Sequence, residues 1–391
     1  MVNRKENIKA NSFLIALFIM QYTLLLPFTK VLPTSSLTAG TGILILFLFV
    51  ILNHGKIWVN WRYILILAAV ILAILLKVVL FPSSDTSIFL VFAYTAFPAA
   101  FAASYHYDAR LVLKNLYKIS LFSFPLIFWY PFIGKYSYMR FGYGVLPSVM
   151  FILSELFFDR NKPLREKIIA WSICIILLVE MVIKGARGCF FSLLLFFAVE
   201  ELLINRKNLT RKIVLALGAF TAYLNIDTIL TSIFNMLSAF GIRSYAIIKY
   251  RMQLNRGFEA ASSGRDHIYD STIDQLMESP FLGLPLSLGA EEGNISYVHN
   301  LFLQTWMDMG MIGLAVLVVF ILFVLWKIWR KDIDRNERIL IAAVFSVSIG
   351  RLMFSSVIWR RPEFWLLVFM SMKMNRRRCT SVEEKEERIK Q

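Results

Sequence analysis

The groups in this chain best suited to chemistry are polar residues placed in an apolar sequence. His299 opens a strongly hydrophobic run, Asn300 follows it, and Asp308 lies inside the same run. An imidazole that titrates near neutrality can take a proton from a hydroxyl. On spacing alone, a histidine where a loop meets a hydrophobic helix is more readily explained as a helix-end polar residue. Arginines form the second set. Arg187 lies in the turn Lys184-Gly185-Ala186-Arg187-Gly188. Arg265 lies in Ser263-Gly264-Arg265-Asp266, at the opening of a helical pattern, and Arg351, Arg360 and Arg361 cluster towards the C-terminus. Guanidinium forks pair bidentately with phosphate oxygens, and a helix opening adds backbone donors for an anion. Snorkelling towards lipid headgroups accounts for such residues as well. Lys77, Glu155 and Glu180 are further charges in apolar surroundings, where ionisable groups are expensive. Glu180 and Lys184 have the i,i+4 spacing of a helical ion pair. His54, His106 and His267 read as solvated side chains. Gly283, Gly289 and Gly293 lack the Gly-Lys-Ser/Thr ending of a phosphate loop. Cys174, Cys189 and Cys379 show no metal-ligand spacing and no disulfide framework. No metal and no cofactor is expected.

The elements that must hold these residues follow from composition. Of the 391 residues 58% are hydrophobic and 17% charged, with mean hydropathy +0.63, which leaves too little polar surface for a soluble domain of this size. Stretches long enough for a ~30 Å hydrocarbon layer recur at 12–29, 37–52, 63–80, 87–104, 116–133, 144–158, 168–184, 188–204, 213–230, 299–326, 339–357 and 363–374. The expectation is an all-α, polytopic membrane protein with about 12 transmembrane helices, residues 1–391 forming one integral membrane domain. The first stretch lacks a small-x-small cleavage site and reads as a retained helix.

Lysine and arginine set the orientation. With the N-terminus inside, the cytoplasmic connections hold roughly two thirds of the 42 Lys+Arg, for example Arg160, Lys162, Arg165 and Lys167. An even number of crossings returns the C-terminus to the cytoplasm, with a charged tail at 376–391. The net charge of +16 is therefore a topology signal, and no nucleic-acid partner is expected. One large outward loop spans 229–298. Its beginning is apolar, residues 242–254 read as an amphipathic helix, and a second helix runs from Asp266 to Glu278 until Pro280 stops it.

Three segments, in this order, resemble the O-antigen polymerase and O-antigen ligase superfamily of bacterial polysaccharide assembly. They are the Arg187 turn; Ser263-Gly264-Arg265-Asp266-His267-Ile268-Tyr269, with Ser279-Pro280-Phe281-Leu282-Gly283 after its helix; and His299-Asn300-Leu301-Phe302-Leu303, with Gly310 and Gly313 beyond. The likeness covers about 180–326. It departs from the family at Ala186, where a serine is common. The resemblance implies a C-type glycosyltransferase architecture in the bacterial inner membrane, with both termini cytoplasmic. It implies a metal-independent polymerase of lipid-linked repeat units of an O-antigen, capsule or exopolysaccharide, with ligation to lipid A core as the alternative. The donor would be an oligosaccharide on undecaprenyl pyrophosphate, within the lipid bilayer, with a chain-length regulator and a flippase as further partners. Arg187 and Arg265 would hold the pyrophosphate, His299 would accept the proton of the attacking hydroxyl, and Asn300, Asp308, Arg351, Arg360 and Arg361 would support them. A lipid-linked oligosaccharide flippase or other transporter is the competing class. It more often shows two related halves and no single dominant outward loop.

Overall fold

A backbone amide in hydrocarbon has no water to bond, so a chain this apolar must close its hydrogen bonds within helices or closed barrels. The described residues close them in helices and contain no strand. The computed structural model describes 2–55, 58–133, 137–158, 162–205, 209–241, 244, 247–252, 265–288 and 298–373. The side chains of Arg187 and Arg265 lie outside the described part, as do Ser263, Gly264, residues 242–243, 245–246 and 253–254, and the tail expected at 376–391.

The helices are α1 (Val2–Leu25), α2 (Thr34–Leu52), α3 (Trp61–Leu80), α4 (Ile88–Ser104), α5 (Ala109–Phe122), α6 (Phe124–Trp129), α7 (Tyr138–Phe158) and α8 (Leu164–Lys184). They continue with α9 (Arg187–Val199), α10 (Leu209–Leu224), α11 (Ile226–Ala239), α12 (Arg265–Glu278), α13 (Leu301–Trp329), α14 (Arg335–Leu352) and α15 (Pro362–Lys373). Several starts are written in the sequence. The side chains of Asn60, Asp108, Asn300 and Asp334 each accept from backbone N–H groups of the first turn that follows.

Among the described residues four helices are long and apolar enough to cross a membrane: Asn7–Lys30, Thr34–Leu52, Trp61–Leu80 and Leu301–Trp329. A fifth span forms if α5 and the Phe124–Phe132 segment, bent by 43°, count as one. Pro125 sits in that bend, where a ring without an N–H interrupts the ladder. Together they make the chain a membrane-embedded helical protein.

Burial separates two layers. Helices α2, α3 and α13 expose large apolar side chains such as Phe47, Leu72, Val79 and Ile312, as a lipid-facing surface does. Helix α14 is the reverse: every residue from Glu337 to Leu352 is buried. It packs on α9, α15, α5 and α7, while α15 lies against α4. Small residues permit the close approach. A Cβ on Gly350 would come within 2.0 Å of Ser192 Oγ, and one on Gly142 within 2.6 Å of Cys189 Sγ.

The expected stretches coincide with helices, and their edges and continuity differ in instructive ways. The stretch 144–158 starts earlier, at Tyr138. The stretch 188–204 ends in a π-helical turn over Glu200–Ile204, and 213–230 is divided between α10 and α11. Glu180 and Lys184 pair at 3.1 Å, and the helix expected to end before Pro280 is α12.

Candidate functional site

A cavity of about 690 Å³ opens at one end of the bundle. The segments bordering it, around Thr29–Ser35, Ser87, Ser137 and Ser355–Arg361, all belong to the end that the lysine and arginine distribution makes cation-poor. Against that distribution, four arginines line it: Arg140 from α7, Arg351 from α14, and Arg360 and Arg361 from the strap joining α14 to α15. Glu363 stands among them, with Gln21, Tyr22, Tyr94 and Tyr143 supplying amide and aromatic surface.

The strap is short because α14 ends at Leu352 and a 3-10 turn over Ile358–Arg360 leads into α15. The Trp359 carbonyl accepts from Thr95 Oγ1 of α4 at 2.8 Å, and Arg361 Nε donates to Ser356 Oγ at 2.5 Å. Glu363 Oε1 lies 4.0 Å from Arg351 Nη1 and 3.8 Å from Arg361 Nη1. The Arg351 guanidinium stacks over Tyr22, 4.0 Å from the ring centre, and lies 5.2 Å from that of Tyr143. Tyr143 in turn requires Gly188, since a Cβ there would meet its hydroxyl at 2.2 Å. The backbone of the Arg187 turn therefore stands against the cavity wall.

The second region gathers the other two motif segments. Tyr269 of α12 donates from its hydroxyl to the backbone carbonyl of His299 at 3.2 Å. After α12 the chain folds back as Ser279–Leu284 and lies on a break in α13. At Gly310 the backbone leaves the helix with φ +67°, and Gly283 opposite has φ +72°. Leu284 N–H donates to the Met307 carbonyl at 2.8 Å, and the Pro280 carbonyl accepts from Met311 N–H and Trp306 Nε1 at 3.0 and 2.9 Å. A Cβ on Gly310 would stand 1.9 Å from the Phe281 carbonyl oxygen. Two glycines that read from sequence as family markers are thus a backbone-to-backbone joint.

Between the regions runs a chain of hydrogen bonds. Val298 N–H donates to Gln304 Oε1 (2.8 Å), Gln304 Nε2 to Asp308 Oδ1 (2.9 Å), and Trp359 Nε1 to Asp308 Oδ2 (2.8 Å). One end adjoins His299 and the other adjoins Arg360. Lys77, buried in α3, donates to the carbonyls of Leu282 and Leu284 at 2.7 and 2.6 Å.

Arg351, Arg360 and Arg361 therefore share one cavity. Asn300 caps α13, with Oδ1 accepting from Phe302 and Leu303 N–H, and Asp308 is wholly buried. His299 is half-buried beside α12 and is not among the described residues lining the cavity. No family model matches the chain, and neither does any curated protein. Arg140, Tyr22, Tyr143 and Glu363 were not singled out from sequence. Arg140 stands alone in its segment, and only the third dimension puts it beside cations more than two hundred residues later.

Proposed function

We propose that this chain is a membrane glycosyltransferase that polymerises lipid-linked polysaccharide repeat units. The observation that carries the reading is the cavity: four arginines converge on one space at the cation-poor end of an apolar bundle. Topology and solubility give no reason to gather cations there, and a phosphorylated ligand does. The tight joint between the Ser279–Leu284 strap and Gly310 supports it further, because two of the three resembling segments then form one structural unit.

On this reading the chain crosses a bacterial inner membrane about twelve times, with both termini inside and the cavity and the 229–298 loop outside. The donor is an oligosaccharide on undecaprenyl pyrophosphate. The acceptor hydroxyl attacks the anomeric carbon, the bond to pyrophosphate breaks with inversion, and the pyrophosphate carries away the bonding pair. Arginines stabilise charge that develops on that leaving group, with Arg187 and Arg265 in this role, while His299 takes the acceptor's proton.

The surface glycan of a deletion strain tests the reading. Single repeats on lipid A core are the expected outcome. Long lipid-linked polymer that never reaches the core would make the chain a ligase instead, and an unchanged glycan would remove both. Replacing His299 by Gln keeps size and hydrogen bonding but cannot take a proton, so polymer synthesis should fall by ~10²–10⁴-fold. Near-normal synthesis in that variant would leave the histidine a positioning role only.

A further inference from the structure

Arg351 combines features that a structural cation does not need. It is 6% exposed, borders the cavity, and donates no side-chain hydrogen bond to any described residue; its Nε is buried without an acceptor. A guanidinium cannot shed its proton in a protein, so burial without hydrogen bonds is costly unless something else meets the charge. Glu363 meets it only loosely. Its Oε1 lies 4.0 Å from Arg351 and 3.8 Å from Arg361, beyond the 2.7–3.2 Å of a hydrogen bond. Tyr22 and Tyr143 hold the guanidinium plane, and Ser356 holds Arg361. Over the described lining, four arginines against one glutamate leave three positive charges.

We propose that Arg351 and Arg361 bind a phosphate or pyrophosphate group, and that Glu363 is its built-in competitor, occupying the shared position until the anion replaces it. An internal carboxylate makes the site selective, because a singly charged anion gains little by exchanging with another. A phosphate ester or pyrophosphate brings more charge and more acceptor oxygens to the same forks. That the group belongs to a lipid carrier rests on the transferase reading; the anion site does not.

The test is calorimetric titration of the purified full chain in detergent with inorganic pyrophosphate. Arg351→Lys should bind about tenfold or more weakly, because a point charge replaces a planar fork. Glu363→Gln should bind about tenfold or more tightly, because a negative charge leaves the position the ligand occupies. Misfolding cannot produce that gain, and elution volume and unfolding temperature check the Arg351 variant. Unchanged or weaker binding in Glu363→Gln would overturn the competitor role, and full binding in Arg351→Lys would overturn the site. Farnesyl pyrophosphate separates the sources. Tighter, Arg351-dependent binding than inorganic pyrophosphate assigns the site to a lipid carrier, and equal or weaker binding removes that assignment. Arg351-dependent binding with an unchanged glycan in the deletion strain would sink the transferase reading and leave the site. Lost polymer with no binding would do the reverse.

Discussion

Two of the polar regions described inside this apolar bundle are built in opposite ways. Around Asp308 nearly everything is satisfied: both carboxyl oxygens accept, from Gln304 and Trp359, and Lys77 has two carbonyls within 2.7 Å. At Arg351 the buried Nε has no acceptor, and the nearest described carboxylate oxygen stands 4.0 Å away. A completed buried network fixes geometry, whereas an incomplete one is expensive unless it has a ligand. The first region reads as the frame that holds the strap and α13 together, and the second as the place that frame presents to a substrate.

The largest expected effect lies in the frame. Gly310→Val would force a branched side chain onto a backbone at φ +67°, with its Cβ aimed at a carbonyl 1.9 Å away. We expect a loss of about 3 kcal/mol or more, or no accumulation in the membrane, since strain and clash combine. Thermal unfolding of a fluorescent fusion in detergent measures it. Gly40→Ala is the control, because no atom lies within 4 Å of that added Cβ. A well-folded Gly310→Val protein would mean that the strap is not locked to the break in α13.

Next come the two buried charges of the frame. Lys77→Met leaves the carbonyls of Leu282 and Leu284 without that donor, and Asp308→Leu does the same to the Trp359 indole and the Gln304 amide. Each should cost roughly 2–4 kcal/mol, the range for stranding buried polar partners. Asp308→Asn, which keeps one acceptor and the shape, should cost about 1 kcal/mol. Equal costs for Leu and Asn at 308 would show that packing, and not the hydrogen-bond chain from Val298 to Trp359, sustains the region.

The contrast also marks what the sequence could carry. Arg351, Arg360 and Arg361 were legible because three cations close together in an apolar stretch demand a reason. Asp308 and Lys77 were legible singly, as charges in hydrocarbon-length helices, but not as parts of one region. Lys77 meets carbonyls more than two hundred residues away, and backbone carbonyls leave no trace in a sequence. The strap shows the same division. Pro280 announced the end of α12, yet nothing local told that Gly283 would meet Gly310. The outer helices were the easiest, since lipid contact writes a continuous apolar run across α2, α3 and α13. The innermost helix was harder to bound: α14 starts at the exposed Arg335, and its first turns bury the charged Glu337 and Arg338 ahead of the apolar run.

The smallest expected effect is the one that separates the two regions most cleanly. Arg351 is as buried as Lys77, 6% exposed against 5%, so burial alone would make Arg351→Met as damaging as Lys77→Met. Partners make the difference. Methionine at 351 abandons no hydrogen bond, keeps an unbranched chain between Tyr22 and Tyr143, and leaves Glu363 with Arg361 at 3.8 Å. It forfeits a cation–π contact of about 1 kcal/mol and relieves the desolvation of a guanidinium, a term of opposite sign. Stability should therefore shift by no more than about 1 kcal/mol either way, because Glu363 keeps Arg361 opposite it and is not left as an uncompensated buried charge. The measurement is the same detergent unfolding series that reports Lys77→Met, so the two variants calibrate each other. A loss near that of Lys77→Met would make Arg351 a strut of the bundle and erase the distinction between frame and site. A stable Arg351→Met protein that no longer titrates with pyrophosphate would leave the charge with a single use, which is binding.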